Sequence, residues 1–220
     1  MAFDLRRSTR TTARWASPAA LILAGFCLLL PFLAVSCDAP GGYGRAAPGG
    51  TTTYTGWDLA VGGAPEVTPD HLRPAAQAQD DTLPPQPLAI AVLVLVVAGL
   101  AAALAIGGVR ARRAATALAA AIGVVFLVAN QATARALLES RLREQLTAPM
   151  PSGKTAADFI ADQGGFALCL LLLTLVAIFN AVGWLRAPAA PAPAPAAGPS
   201  PPPSPPSGGG DAAVSGKLHE

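Results

Sequence analysis

Four long apolar runs dominate the pattern of hydrophobic and polar positions along the chain. Each run lacks Asp, Glu, Lys, Arg and His, although the sequence carries 15 basic and 13 acidic residues elsewhere. The runs are Pro18 to Val35, Leu88 to Val109, Ala114 to Ala129 and Phe166 to Leu185. At about 1.5 Å per residue, the second and fourth reach roughly 30 Å, the hydrocarbon thickness of a bilayer. The pattern therefore predicts an all-α membrane protein with four transmembrane helices.

The third run needs an extension, because it stops before the polar residue Asn130. The polar groups of Asn130 to Ala134 suit the depth of the lipid headgroups, so we extend this span to 134. The predicted spans are TM1 at 18–35, TM2 at 88–109, TM3 at 114–134 and TM4 at 166–185. The other segments are a basic N-terminus at 1–17, an outer loop at 36–87, a turn at 110–113, a second outer loop at 135–165 and a tail at 186–220. A composition of 52% hydrophobic and 13% charged residues also requires lipid contact.

The distribution of Lys and Arg predicts the orientation, because cytoplasmic flanks are enriched in them. Four arginines precede TM1, three lie in the turn at 110–113, and Arg186 follows TM4. The loop at 36–87 instead carries two arginines and six acidic residues. We therefore expect a multi-pass protein of the bacterial cell (inner) membrane, with both termini in the cytoplasm and both long loops outside.

Small residues recur every four positions on the two helices that the short turn joins. The turn forces TM2 and TM3 to pack antiparallel, and small residues allow two helix backbones to approach closely. The predicted contact seam consists of Gly99, Ala103, Gly107, Ala115, Ala119 and Gly123. An alanine-rich sequence also produces such spacings by chance, and this alternative stays open.

The second outer loop has a helical pattern. Leu138, Leu142 and Leu146 are spaced at four residues, so the helix of TM3 is predicted to continue to about Leu146. Thr155 and Asp158 then fit a capping box, which indicates a short helix before TM4. This loop should form a partly helical cap.

The first outer loop and the tail look less ordered. The loop is rich in Gly, Pro and Thr, so we expect little core from it, and only Thr51 to Thr55 favours a β conformation. Tyr54 and Trp57 are either interaction residues or aromatic anchors at the membrane surface. The tail at 186–220 is rich in Pro and Ala and predicts disorder, either as a solvated spacer or as a proline-rich ligand for a cytoplasmic partner.

The cysteines allow several interpretations. Leu33-Ala-Val-Ser-Cys37 follows a basic leader and an apolar segment, as in a bacterial lipoprotein cleavage site, so Cys37 is a candidate for lipidation if TM1 is removed. With TM1 uncut, Cys37 and Cys169 approach the same outer surface and a disulfide between them is geometrically allowed.

The patterns contain few features of an enzyme or a pump. The four spans carry no ionisable residue, whereas pumps place such residues inside the bilayer. A phosphate-loop-like match at 148–155 contains two prolines and follows an amphipathic helix, so its context does not suit nucleotide binding. We expect no enzymatic activity, cofactor, metal, nucleotide or nucleic acid, with Asp80 and Asp81 as the weak alternative for a membrane enzyme.

Two short motifs carry a resemblance. Pro31-Phe-Leu-Ala-Val-Ser-Cys37 ends the first apolar run, and Tyr54-Thr-Gly-Trp-Asp-Leu59 follows in the outer loop. Together they resemble the pattern of uncharacterised small four-pass integral membrane proteins of high-GC (actinobacterial-type) bacteria. The resemblance covers the four spans without the tail and implies an inner-membrane protein with no assigned activity. It also suggests that Cys37, Tyr54, Gly56 and Asp58 act together, and with Trp57 the last three form the predicted outer-loop interaction site.

The leading hypothesis is a non-enzymatic membrane protein that organises a partner through its outer loops or tail. The expected partners are the lipid bilayer and either another membrane protein or further copies of this chain. An accessory subunit of a channel or transporter is the alternative, followed by a membrane enzyme.

Overall fold

The computed structural model describes residues 3–36, 42–68, 72–74, 80–146, 149–150 and 152–187, with side chains described from Trp15 onward. The α-helices are α1 (Phe3–Cys27), α2 (Gly56–Val61), α3 (Pro87–Ala105), α4 (Val109–Gln145) and α5 (Gly164–Leu185). The strands are β1 (Pro31–Ser36), β2 (Thr51–Thr55), β3 (Glu66–Thr68) and β4 (Ile160–Asp162), and Ala156–Phe159 form a 3₁₀ turn. We call α1, α3, α5 and the first half of α4 the bundle. The strands, α2, their loops and the rest of α4 are the cap.

The four bundle helices form a ring in which each helix packs against two neighbours. Helix α1 contacts α3 and α5, and α4 contacts the same two helices. The chain runs toward the cap in α1 and α4 and away from it in α3 and α5, so every neighbouring pair is antiparallel. The ends of these helices therefore gather in two layers, one at the cap and one at the opposite, basic end, where α4 begins with three arginines.

Three of these helices, α3, α4 and α5, are long and apolar enough to cross a membrane. Their large apolar side chains lie on the outer face of the bundle as well as inside it, as Val97, Leu118 and Leu171 illustrate with more than half of their surface exposed. A water-soluble bundle buries such side chains. The prediction of apolar membrane helices is confirmed for these three.

The first apolar run differs from its prediction, because the segment 18–35 is not one helix. Helix α1 ends at Cys27, a last turn of tighter hydrogen bonds carries the chain to Leu30, and strand β1 begins at Pro31. Proline lacks an amide donor and its ring clashes with the carbonyl four residues earlier, which here belongs to Cys27. The apolar part of α1, Trp15–Cys27, is therefore shorter than the three helices that are long enough to cross a membrane.

The connection between α3 and α4 also lies elsewhere than predicted. Helix α3 ends at Ala105, the link is Ile106 to Gly108, and the predicted turn at 110–113 forms the start of α4. Two consecutive glycines have low helix propensity and interrupt the apolar run before the arginines do.

Helix α4 is the longest element, with 37 residues and a length of about 55 Å. It exceeds the bilayer core and continues into the cap, where Leu138 and Leu142 are fully buried. Its end at Gln145 agrees with the predicted end near Leu146. Further on, Thr155 caps the 3₁₀ turn through the capping box that the sequence predicts.

A four-stranded antiparallel sheet makes the all-α prediction wrong for the cap. The strand order is β3-β2-β1-β4, with Leu33 opposite Tyr54 and Ala34 opposite Ala161. Strand β1 is buried on both faces, which explains why it reads as a continuation of an apolar span. The first outer loop also contributes a core, contrary to expectation, with Tyr43, Tyr54, Leu59 and Leu83 at most 3% exposed.

Some predictions fall outside the described residues. Cys37 is one of them, so its lipidation and its disulfide with Cys169 are not addressed by the structure. Of the predicted tail at 186–220, only Arg186 and Ala187 are described.

Candidate functional site in the cap

The predicted outer-loop residues lie at the corner where β2 turns into α2. Thr55 is the N-cap of α2, and its hydroxyl accepts a hydrogen bond from the Asp58 amide at 3.1 Å. The Asp58 carboxylate accepts bonds in return from the Thr55 amide at 2.9 Å and from the Thr55 hydroxyl at 2.7 Å. A Cβ on Gly56 would lie 3.0 Å from the Leu28 carbonyl, so this glycine allows α2 to approach the end of α1. Thr55, Gly56 and Asp58 therefore build the corner itself.

Tyr54 lies inside the cap and not on its surface. Its hydroxyl is 3.1 Å from the hydroxyl of Tyr43 and donates a hydrogen bond of 2.6 Å to the Asp81 carbonyl. Both tyrosines are fully buried. Burial, with Tyr43 next to it, raises the pKa of Tyr54 far above its ordinary value, so the phenol stays neutral. Tyr54 thus joins β2 to the loop that precedes α3.

The side chain of Asp81 is the charged centre of this buried cluster. Its two carboxylate oxygens each lie 3.1 Å from Nε of Arg45, and Arg45 also donates to the Pro65 carbonyl at 2.8 Å. The Asp81 side chain is 2% exposed and that of Arg45 is 44% exposed. A buried carboxylate needs such pairing to stay charged. Asp81 therefore belongs to the interior of the cap, where it pairs with Arg45.

Asp80 has a different environment from its neighbour. It lies at the surface, and its carboxylate accepts hydrogen bonds from the Thr82 hydroxyl at 2.7 Å and the Thr82 amide at 2.9 Å. These bonds hold the pKa of Asp80 below its ordinary value. Asp80 therefore shapes a local turn.

The part of α4 that extends beyond the bundle is hydrogen-bonded to several segments of the cap. Oε1 of Gln145 accepts a hydrogen bond from the Gly44 amide at 2.9 Å, and Arg141 donates to the Thr82 carbonyl at 2.5 Å. Nearer the bundle, Gln131 donates to the Asp162 carboxylate at 2.7 Å, and Arg135 pairs with the same carboxylate at 3.2 Å. One helix thus contacts both outer loops.

Sequence reasoning missed several members of the cluster around Asp81. Arg45 is one of only two arginines in an acidic loop, and that isolation is a signal for a charge pair. Tyr43 lies between Gly42 and Gly44, both with positive φ, which marks a constrained turn around a buried aromatic side chain. Gln145 gives no signal, because a glutamine at a helix end is ordinary.

Trp57 is the predicted site residue that remains at the surface, with 44% of it exposed. It borders an apolar groove of about 320 Å³ together with Phe26 of α1, Leu29 of the turn that follows α1, and Leu93 of α3. Its amide donates to the Leu28 carbonyl at 2.8 Å, which fixes the position of the residue at the boundary between cap and bundle. This location suits an indole at a membrane interface.

Cys27 and Cys169 are both buried in the bundle, and neither forms a disulfide with another described residue. Sγ of Cys169 is 3.7 Å from the Ala24 carbonyl of α1. Cys169 thus packs against a neighbouring helix.

The small residues of the predicted seam are divided among several contacts. A Cβ on Gly99 would lie 3.4 Å from Cβ of Ala119, so these two positions bring α3 and α4 together, and Ala103 is buried on the same face of α3. Gly107 lies in the link with open space around it, and Gly123 faces Leu173 of α5. The structure thus joins Gly99 and Ala119 directly across α3 and α4.

Several carboxylates of the cap are used in contacts within the cap. Within the described residues, no group of three or more His, Cys, Asp or Glu side chains could hold a metal ion. The carboxylates of Asp58, Asp81 and Asp162 each accept hydrogen bonds from the cap itself. No protein-family model, curated protein or solved structure shows significant similarity to this chain.

Proposed function

We propose that this chain is a non-enzymatic four-pass membrane protein that holds a partner protein in the bilayer, with its cap on the outer side. The observation that carries the proposal is an apolar groove on the outer face of α4 and α5, described below. The proposal has three parts, namely the topology, the absence of chemistry in the cap and the docking groove.

The topology rests on α1 completing the ring of helices. Ile22, Leu23 and Phe26 are about half exposed on the outer face of α1, as the apolar residues of the three longer spans are. The backbone that follows α1 is paired by the cap, since Trp57 donates to the Leu28 carbonyl and, in β1, the Phe32 carbonyl accepts from the Gln163 amide. Such pairing lets a short span end near the hydrocarbon layer.

The orientation rests on the charges at the two ends. Arg110 stacks on Trp184 at 5.7 Å, and Arg113 donates to the Gly183 carbonyl, so arginines from the start of α4 cluster with the end of α5. In the described cap eight acidic residues outnumber six basic ones, whereas α4 begins with three arginines and no acidic residue. This asymmetry supports a cytoplasmic basic end and an outer cap.

A role without catalysis fits the use of polar side chains in the cap. Asp58, Asp81, Asp162 and Tyr54 are bound to neighbouring parts of the cap. A catalytic acid or base must instead reach a substrate within hydrogen-bond distance. The proposal accordingly assigns these residues to stability.

The docking groove is lined by the small side chains of α4 and α5. It measures about 460 Å³, and its walls include Ala117 and Ala121 of α4 and Ala177 and Ala181 of α5, with Trp184 at the basic end. Lipid-facing grooves of small residues permit close approach of another helix. We assign the groove to a transmembrane helix of a different membrane protein.

The alternative, an accessory subunit of a channel, requires several copies of the chain. The middle of the ring is filled by Ala120, Leu127, Leu173 and Val176, all at most 3% exposed, so a single bundle has an apolar interior. Crosslinking at the docking groove distinguishes a protein that holds a partner from a channel subunit.

A photo-crosslinking amino acid at Ala181 in the full-length protein, expressed in native membranes, tests the groove. We expect a crosslinked product with one discrete partner, and we expect Ala117→Leu to reduce its yield about tenfold by filling the groove. The matched control places the crosslinker at the exposed Ala101 of α3. Products that are multiples of this chain would favour the channel subunit, and equal yields from Ala181 and Ala101 would contradict the groove.

A further inference from the structure

A second cavity lies at the basic end of the bundle, where all four helices meet. It measures about 400 Å³ and lies among the ends of α3 and α5, the beginning of α4 and the Ser17 turn of α1. Its wall is mixed, with guanidinium groups, a buried hydroxyl and amide, and apolar side chains. This mixture differs from the groove on α4 and α5, which is wholly apolar.

The charged part of the wall comes from Arg112 and Arg113. Within the described residues, neither has a carboxylate partner, and the Arg112 guanidinium makes no hydrogen bond. Arg113 donates at 2.6 Å to the carbonyl of Gly183, one of the carbonyls that the end of α5 leaves without a helical partner. Arg113 is thus held in place, and Arg112 offers its full set of donors.

The start of α4 adds to the positive potential at this cavity. Val109, the first residue of α4, lines it, and Gly108 at the N-cap supplies no side-chain hydrogen bond to the amides of the first turn. Unpaired amides and the helix dipole favour an anion at this end. Dipole and arginines act here in the same direction.

Deeper in the wall lies a hydrogen-bonded pair from two helices. Nδ2 of Asn180 donates to the Ser17 hydroxyl at 2.9 Å and to the Val176 carbonyl at 2.8 Å. Both Ser17 and Asn180 are less than 9% exposed. The pair gives the inner wall of the cavity a polar surface inside an otherwise apolar bundle.

The remaining wall is apolar and faces outward. Leu104, Val109 and Phe179 line the cavity, and each is about half exposed on the outer face of the bundle. A ligand here meets cations at the basic end and apolar side chains along the helices. A cavity divided in this way suits an amphiphile with an anionic headgroup better than it suits a small soluble anion.

We infer that this cavity binds the phosphate headgroup of an anionic phospholipid, with Arg112 as the principal contact. Basic pockets between transmembrane helices are suited to such headgroups. The acyl chains lie against Leu104 and Phe179. The inference concerns the basic end only and is independent of the partner groove.

The test uses the full-length protein in nanodiscs of phosphatidylcholine with increasing phosphatidylglycerol, and native mass spectrometry counts the lipids retained. We expect phosphatidylglycerol to be retained preferentially. Arg112→Gln should weaken this retention about tenfold, which corresponds to about 1.4 kcal/mol. Arg110→Gln is the matched control, because Arg110 lies at the same end but stacks on Trp184 and does not line the cavity.

A second variant keeps the proposal testable if Arg112→Gln fails to fold. Gly107 lines the cavity with open space beside it, so Gly107→Leu fills the cavity without a change of charge and should also reduce retention. Wild-type retention in both folded variants would overturn the inference. Equal retention of phosphatidylcholine, or displacement of the lipid by millimolar inorganic phosphate, would overturn the assignment to a lipid headgroup.

Discussion

The bundle and the cap place apolar and polar side chains in opposite ways. In the bundle, large apolar side chains such as Val97 and Leu171 face outward, and the buried Ser17 and Asn180 pair between two helices. In the cap, charged residues such as Asp80 lie at the surface, and a polar cluster of Tyr43, Tyr54 and Asp81 lies within. The difference is the one expected under the proposed topology, in which lipid surrounds the bundle and water surrounds the cap.

The two regions meet at the segment from Leu28 to Phe32. Its backbone groups bond to the cap, while a Cβ on Gly165 at the start of α5 would lie only 2.5 Å from the Pro31 carbonyl. The joint is therefore tightly packed on both sides. This packing fixes the position of the sheet relative to the bundle.

The largest effect is expected in the core of the cap. Tyr54→Ala removes a fully buried aromatic ring and leaves the Asp81 carbonyl without its donor, so it should lower the opening free energy of the cap by about 3–5 kcal/mol. Hydrogen exchange of the solubilised protein measures this at the amides of β2. The amides of α3 serve as the internal control, and equal loss of protection there would mean that the two regions do not fold as distinct units.

A lysine substitution on the outer surface tests directly whether lipid or water surrounds each region. Val97 in the middle of α3 is 59% exposed, and Val61 on α2 in the cap is 47% exposed. We expect Val97→Lys to cost about 2.5–3.5 kcal/mol in a membrane-insertion assay, because it places a charge in hydrocarbon. The matched variant Val61→Lys should change stability by less than about 0.5 kcal/mol. Similar behaviour of the two lysines would refute the assignment of lipid around the bundle.

Of the two adjacent glycines at the joint, Gly165 should be sensitive to substitution and Gly164 should not. Gly165→Ala places a methyl group against the Pro31 carbonyl and Leu30, which should destabilise the protein by about 1–3 kcal/mol through overpacking. Gly164→Ala has open space around the new methyl group and should be neutral or slightly stabilising. Thermal unfolding of both variants in detergent gives the comparison, and equal melting temperatures would contradict a tight joint.

The smallest expected effect is a loss of stability in the second outer loop at acidic pH. Hydrogen bonds from the Thr155 amide and hydroxyl hold the pKa of Asp158 below its ordinary value of 3.8. A lowered folded-state pKa contributes stability above that ordinary value, and this stability is lost as the pH falls through the lowered pKa.

Hydrogen exchange at the 3₁₀ turn should therefore rise, after correction for intrinsic rates, as the pH falls below 3.8. Asp158→Asn should remove most of this pH dependence while the bundle amides stay protected. Retention of the full pH dependence in that variant would assign the effect to another group.

The apolar spans follow from the sequence because their cause is local. The predicted segments at 88–109 and 166–185 lie within a few residues of α3 and α5, and the leucine spacing predicts the end of α4 near Gln145. A charge-free run prefers lipid whatever surrounds it. The capping box at Thr155 is local in the same sense, since both partners lie within one turn.

The cap depends on contacts between distant residues. Tyr54 reads equally well as a surface anchor, and it is buried because Asp81 and Tyr43 meet it in space. Residues 31–35 continue an apolar run, and they form a strand because β2 and β4 supply hydrogen bonds on both sides. Sequence alone thus determined which helices are apolar enough to cross a membrane, since transfer of side chains to hydrocarbon is a property of each residue. Only the tertiary structure decided where the first span stops and how a glycine-rich loop builds a core, because backbone hydrogen bonds and buried charges require partners far along the chain.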